Sequence, residues 1–509
     1  MARFHITLRS DSLATRSLQA AVLGVVHALS FAPWDMWWLQ LLALAGLFAL
    51  ALRAPTSRSA AMLGFAFGVG WFTTGVSWVY ISLHVYGQMW AWLAGLATAL
   101  FAAILALYPA AALALAHRCV AEPSVRLLLA LPAAWTASEW LRGVVFTGFP
   151  WLASGYAHAG GPLAPYAPLV GVYGITLIGA VLSAALVAAI QFRLSPRAAY
   201  AGAALIAALL LGGLQLGSVA WIQPFGKPLN VRLVQGNIPQ DEKFGPGSVE
   251  RAHEVYFSLM SRPGAVDLVA LPESVYPLPL GYLPNSVTRD LLDFVHARNA
   301  ALVFGIFIEE PEHHYYNSAV GIASDRQGAQ RYSKRHLVPF GEFIPFGFRW
   351  FVDLMQMPIG DQDRGMRLQP PLELAGQRIA VNICYEDLFG AEIIEAWHDP
   401  QRTPTLLLNL SNLAWFDDSN ALPQHLQIAR LRALETGRPM LRATNTGATA
   451  VVGPRGEVVR VLPYNKADVL DAEVQGYTGD TPFVRFGNLP ALGLAFVLLL
   501  AARWFGRRP

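Results

Sequence analysis

The sequence predicts a multi-pass α-helical membrane domain joined to an α/β layered domain. Three observations carry this. Hydrophobic residues make up 54% of the 509 and charged ones 14%, against roughly 25% charged in soluble domains. Long apolar runs fill the first 217 residues and return near the end. From Asn230 the texture changes to short alternating runs separated by helical stretches and Gly/Pro turns, the pattern of a layered α/β domain.

A membrane-crossing helix needs about 20 apolar residues. The candidate segments are 18–34, 36–52, 59–83, 89–116, 125–141, 166–190, 198–216 and 487–502. Pro33 divides the first two, which read as a helical hairpin or a partly re-entrant pair. No convincing small-residue cleavage site follows the first, and another apolar run comes at once, so a removed leader is not expected. The expected organisation is a membrane domain over 1–217 with about seven spans. A polar domain follows over 218–486, and a final span with a basic tail over 487–509.

Basic residues favour the cytoplasmic side of a membrane. Arg3, Arg9 and Arg16 precede the first segment, Arg53 and Arg58 follow the second, and His117, Arg118 and Arg126 lie between the fourth and fifth. Arg193 and Arg197 follow the sixth; Arg503, Arg507 and Arg508 follow the last. With eight spans these all fall on one side, Arg142 being the exception. Both termini are then expected in the cytoplasm and 218–486 outside it. Glu139, an acid within a span, lies three residues from Arg142, which predicts an ion pair on one helix face.

In the polar domain, strands are expected at 231–235, 266–271, 302–308, 316–323, 378–384, 405–410, 440–444 and 448–452, and helices at 287–298 and 422–436. Asp325–Gly328 and Gly453–Gly456 are turns. The net charge of +3 says little by itself; no dense Lys/Arg stripe appears, so nucleic acid is not suggested as a partner. Only two cysteines occur, Cys119 and Cys384, far apart and without metal-ligand spacing, so neither a disulfide nor a metal centre is expected.

Cys384 stands at the end of a strand-like run, in Val381-Asn382-Ile383-Cys384-Tyr385-Glu386-Asp387. Glu273 ends another, in Leu271-Pro272-Glu273, and Lys334 a third, in Tyr332-Ser333-Lys334. A thiol with an acid and an amine to activate it suggests nucleophilic catalysis. Periodicity alone does not bring the three together.

These strings resemble the nitrilase superfamily at Pro272-Glu273, at Tyr332-Ser333-Lys334-Arg335-His336-Leu337 and at Cys384-Tyr385-Glu386. Within it they look like the apolipoprotein N-acyltransferase family. The supporting strings are Val234-Gln235-Gly236-Asn237-Ile238-Pro239-Gln240, Leu337-Val338-Pro339-Phe340-Gly341-Glu342-Phe343-Ile344-Pro345 and Ser411-Asn412-Leu413-Ala414-Trp415-Phe416. The apolar Leu413 departs from the polar residue expected there.

The resemblance implies an αββα sandwich with a Glu273–Lys334–Cys384 triad at the periplasmic face of the inner membrane. It implies transfer of a fatty acyl chain from a phospholipid to the α-amino group of a diacylglyceryl-cysteine apolipoprotein, with no cofactor. Lys334 would lower the Cys384 pKa and hold an oxyanion, Glu273 would serve as base and then acid, and Glu342 would orient Lys334. Tyr385 and Glu386 would position the nucleophile or the amine.

Five aromatics in nine positions, 343–351, are a large apolar load for a loop. They predict a membrane-dipping lid over 343–358, with Phe340, Phe346, Phe348, Trp350 and Trp415 as lipid contacts and Met355 and Met357 as an adaptable surface. Two competing readings are a membrane-anchored amidase or nitrile hydrolase with water as acceptor, and a transporter or receptor with a non-catalytic sandwich.

Overall fold

The computed structural model describes residues 12–506 except 192–195, 244, 326–327, 348 and 350–360. Two six-stranded sheets form the polar domain. Their strands are β1 (Gln223–Gln235), β2 (Leu268–Ala270), β3 (Ala301–Glu310), β4 (His314–Ile322), β5 (Gln330–Ser333), β6 (Leu372–Leu374), β7 (Gln377–Ile383), β8 (Leu406–Ser411), β9 (Met440–Thr444), β10 (Ala450–Val452), β11 (Val458–Val461) and β12 (Asp468–Thr478). The first sheet runs β12-β1-β2-β3-β4-β5 and the second β11-β10-β9-β8-β7-β6.

Each sheet is parallel at its centre, β1-β2-β3 in one and β7-β8-β9 in the other, and antiparallel at its edges. Alternation decides which face each residue serves. Leu406, Leu408 and Leu410 of β8 meet Leu268, Ala270 and Val303 of the other sheet between the layers. Leu407 points the opposite way, into a cluster with Ala429 and Ala433 of the helix Ala421–Thr436. On the first sheet, Val269 and Leu302 pack outward with residues of the helices Ser248–Met260 and Asn285–Arg298. Helix, two sheets and helix make the expected αββα sandwich.

In the amino-terminal region, helices span Leu13–Ala28, Trp37–Leu52, Ser57–Gly75, Ala91–Cys119, Leu131–Arg142, Ala167–Gln191 and Pro196–Gly217; Leu489–Phe505 closes the chain. Small residues let them approach closely. A Cβ on Gly64 would stand 2.5 Å from the Pro109 carbonyl oxygen, and one on Gly70 2.0 Å from that of Ala21.

By length and apolarity, two of the described helices suffice to cross a membrane, Ala91–Cys119 and Ala164–Gln191; Ser57–Gly75 with Val79–Tyr86, bent by 61°, makes a third if the pair is one span. Trp37–Leu52, Gly202–Gly217 and Leu489–Phe505 are apolar but shorter. A helix of 16 residues is about 24 Å long, against the roughly 30 Å of a bilayer's hydrocarbon core.

The helix-face pair also differs from expectation. Glu139 accepts hydrogen bonds from the Ser154 amide (2.8 Å) and hydroxyl, while Arg142 donates to the carbonyls of Phe149 (2.5 Å) and Trp151 (2.7 Å). The helix ends at Arg142, and the returning chain offers both residues backbone partners in place of each other.

The two domains are knitted together by the helix Ala421–Thr436, which is buried along nearly its whole length. Gln424 accepts from the indoles of Trp78 (3.2 Å) and Trp151 (2.8 Å) and donates to Gly75 O (3.1 Å). Glu435 accepts from the Val172 amide (2.8 Å), and Gln427 donates to Asp35 (2.8 Å). Polar bonds across the seam help to fix one docking geometry.

Candidate active site

Three strand ends converge: Glu273 and Lys334 are 3.4 Å apart, and both interact electrostatically with Cys384. Glu273 follows β2 on a turn seated against β3. The Gly305 amide donates to Pro272 O (3.0 Å) and the Val275 amide to Gly305 O (2.8 Å). A Cβ on Gly305 would stand 2.6 Å from the Glu273 Cα, so this close approach requires glycine. The Glu273 carboxylate is buried. Its Oε1 accepts from Asn317 Nδ2 (2.8 Å) and lies 3.4 Å from Lys334 Nζ; its Oε2 accepts from the Asn412 amide (2.9 Å).

Lys334 follows β5, its amide donating to Asn317 O (2.8 Å). Its fully buried ammonium sits 2.6 Å from Glu342 Oε1. Glu342 is held in turn by the Val338 amide on Oε2 (2.8 Å) and by Asn317 Nδ2 on Oε1 (3.3 Å). Burial alone would lower the Lys334 pKa, but the carboxylates of Glu342 and Glu273 outweigh it and raise it, so the ammonium stays charged.

Cys384 follows β7 with φ +53°, in the left-handed region that ordinary residues avoid. Its carbonyl oxygen accepts from Asn409 Nδ2 at 3.2 Å. Contrary to expectation, its thiol pKa is raised well above the usual value. Burial contributes most and Glu273 adds to it; Lys334 acts in the lowering direction but is outweighed. Beyond burial, the carboxylates of Glu273 and Glu342 both raise it, against the lowering contribution of Lys334. Burial and the carboxylates thus both disfavour a standing thiolate.

Glu386 lies behind Cys384. Its Oε2 accepts from the Ile383 amide (2.6 Å) and its Oε1 from the amides of Arg335 (2.7 Å) and His336 (3.2 Å); the Tyr332 hydroxyl donates to both oxygens at 3.0 Å. One carboxylate thus ties the turn after Lys334 to the turn before Cys384. Burial raises its pKa, a shift opposed by these backbone donors and Lys334. Tyr385 points into the amino-terminal helical region, where its hydroxyl donates to Gly148 O (2.9 Å). Both residues brace the Cys384 turn from behind.

The aromatic residues divide. Phe346 is fully exposed, and Phe340 and Trp415 partly so. Trp415 packs edge-on to Tyr86, with 5.9 Å between ring centroids, and Phe416 to Trp78 at 4.7 Å, so this short helix rests against the membrane domain. Leu413, the apolar departure in the same string, is buried there. Phe348, Trp350, Met355 and Met357 lie outside the described residues, as does most of the expected lid. Asn317 and the Asn412 amide, which both hold Glu273, carry no signal in the sequence that marks them as ligands of a carboxylate.

Residues 23–185 match the family described as the apolipoprotein N-acyltransferase N-terminal domain, and residues 230–483 match carbon-nitrogen hydrolase. The chain is 52% identical to the apolipoprotein N-acyltransferase of Ralstonia nicotianae, over 95% of this chain and 92% of that one. It is 45% identical to that of Bordetella bronchiseptica, over 96% of each chain. With that of Chromobacterium violaceum it shares 43% identity, over 95% of this chain and 93% of the relative. Fold and match define a carbon-nitrogen hydrolase-type enzyme fused to an apolar helical domain. The chain belongs to the apolipoprotein N-acyltransferase family and is a membrane enzyme.

Proposed function

We propose that the chain transfers a fatty acyl group from a membrane phospholipid to the N-terminal α-amino group of a diacylglyceryl-cysteine apolipoprotein, through a thioester on Cys384. The observation that carries this reading is the buried Glu273–Lys334–Glu342 cluster at the strand ends beside Cys384, in a chain of this family. In the first half-reaction, Sγ attacks the ester carbonyl as Glu273 takes the thiol proton. The Lys334 ammonium stabilises the oxyanion. Collapse breaks the ester C–O bond, and Glu273 returns the proton to the departing lysophospholipid oxygen. In the second, the acceptor amine attacks the thioester, Glu273 accepts an amine proton, and the sulfur leaves and is reprotonated.

A hydrolase with the same groups would use water in the second half-reaction. The two differ in acceptor dependence. With vesicle phospholipid alone, lysophospholipid release should stop after about one equivalent per enzyme and resume on adding a diacylglyceryl peptide with a free amine. Sustained release without the amine would favour hydrolysis.

The domain limits proposed are 1–217, 218–486 and 487–509, with the catalytic domain periplasmic and both termini cytoplasmic in an inner membrane. The arginine distribution supports this orientation. Reporter fusions after residues 218 and 509 test it: the first should report a non-cytoplasmic location and the second a cytoplasmic one, and the reverse result would refute it.

The segment 343–358 is proposed as the lipid-contacting arm, since the exposed Phe346 stands on the loop that begins beside Glu342. Being exposed, Phe346→Ser should leave thermal stability unchanged. Losing one buried aromatic contact costs about 1.5–3 kcal/mol, so KM for vesicle phospholipid should rise on the order of 10–100-fold, while a short soluble ester donor should be unaffected. Equal losses on both donors would contradict the arm.

A further inference from the structure

Beneath the nucleophile lies a fully buried cluster that the reaction as described does not use. Asp387, His425 and Arg442 are all sealed from solvent. Arg442 Nη1 donates to Asp387 Oδ2 (2.8 Å), and Arg442 Nη2 lies 2.7 Å from His425 Nδ1. A guanidinium can only donate, so Nδ1 is the acceptor and the imidazole proton sits on Nε2. That nitrogen lies 3.3 Å from the Cys384 carbonyl oxygen. Asp387 Oδ1 is 2.8 Å from the same nitrogen but receives no aligned hydrogen bond, which leaves the Nε2–H directed at the carbonyl.

The far face of the His425 ring is covered by the membrane domain. Trp151 stacks on it with 5.7 Å between centroids and 8° between planes, and the same indole donates to Gln424, the residue before His425. The ring is thus clamped by an arginine, an aspartate and an indole, with one free function: its Nε2–H.

We propose that His425 is a positioning residue for the nucleophile: its Nε2–H, with the Asn409 amide, holds the Cys384 carbonyl and so fixes the left-handed backbone that aims Sγ between Glu273 and Lys334. The physical need is evident in the φ of +53°. A cysteine relaxes out of that region unless its surroundings over-determine it, and rotation about this residue swings the sulfur away from its base. Two donors on one carbonyl oxygen oppose that rotation. The Trp151 stack makes the membrane domain part of the support, so the lipid-facing half of the protein contributes to the aim of the thiol.

The inference rests on Cys384 being the nucleophile, and the test separates the two. His425→Asn keeps an acceptor near Nδ1 for Arg442 but is too short to reach the Cys384 carbonyl. His425→Gln places an amide donor near Nε2. Each is measured in the full-length enzyme for kcat and KM with vesicle phospholipid and a lipopeptide amine, and for the single-turnover rate of thioester formation. His425→Asn should lose about 100-fold in kcat and in thioester formation, as for an ångström-scale misplacement, with KM within about twofold; His425→Gln should stay within about fivefold of the wild-type kcat. Wild-type kcat in His425→Asn, equal loss in both variants, or a loss confined to KM would overturn the role. If His425→Asn does not fold, the folded His425→Gln decides alone, and a loss beyond about 100-fold there overturns it. Full turnover in Cys384→Ala would instead sink the nucleophile assignment on which the inference rests.

Discussion

Cys384→Ala is expected to abolish acyl transfer while leaving a folded, membrane-inserted protein. The thiol makes no hydrogen bond in the structure, and truncation to Cβ removes a single sulfur atom, so it opens little space. The turn that carries it is held from elsewhere, by Glu386 on the Ile383 amide and by Asn409 on the Cys384 carbonyl. Stability should therefore change by less than about 1 kcal/mol, at the small end of single substitutions. Activity should fall below detection, because neither half-reaction has an alternative nucleophile: Cys119 lies at the end of the helix Ala91–Cys119, in the membrane domain. The measurement is transfer to a lipopeptide amine by purified variant in vesicles, alongside thermal unfolding. Appreciable turnover would remove Cys384 from the reaction.

Glu273→Gln is expected to slow thioester formation by about 10²–10⁴-fold, the range for loss of a general base. Here the loss should fall towards the upper end. The thiol pKa is raised by burial and by carboxylates, so few molecules hold a thiolate without a base. An amide at 273 keeps nearly the same shape. It keeps one acceptor oxygen for two donors, Asn317 Nδ2 and the Asn412 amide, which the carboxylate accepts on separate oxygens, and it cannot take the proton. Removing one carboxylate also lowers the negative charge around the sulfur, which favours the thiolate and offsets part of the loss. Rapid-mixing measurement of a single turnover tests this; a rate within tenfold of wild type would contradict the assignment of Glu273 as base. Lys334→Ala should be equally slow for a different reason. It leaves Glu273 and Glu342 facing each other as unpaired carboxylates in a buried site, so folding must be checked beside the rate.

Much of the sandwich could be read from the chain because its central strands obey one rule. In Leu406–Ser411 and Leu268–Ala270, apolar runs are bounded by turns, and each alternate residue serves a different layer. The strands that escaped reading are those without such a pattern. All four residues of β11 are exposed, and β12 mixes acids with apolar residues because it lies at a sheet edge, paired only with β1. β6 has three residues, too few to show a period. The helix Ser248–Met260 was likewise missed, since five well-spaced buried residues among polar ones make a weak signal behind a Gly/Pro turn.

Apolarity marked the amino-terminal segments but could not separate helices that face lipid from those sealed inside a bundle. At the site, strand ends pointed to Glu273, Lys334 and Cys384, and the string around Glu342 to its partner. Direction could not be read. Tyr385 and Glu386 are neighbours of the nucleophile in sequence, yet one reaches back to Gly148 and the other caps three backbone amides behind the turn. Nor could the sign of the thiol shift be read, because it depends first on burial of the thiol and then on two carboxylates that reach one ammonium from different loops.

The thioester itself is the most direct test of the account. Wild-type enzyme incubated with a phospholipid of known acyl chain, quenched in acid without an acceptor and digested, should yield the Cys384 peptide heavier by that acyl group. The added mass should disappear on brief treatment with the lipopeptide amine and reappear on its N-terminus. Product formed at the normal rate with Cys384 never acylated, or acyl mass on a different residue that is discharged by the amine, would contradict it.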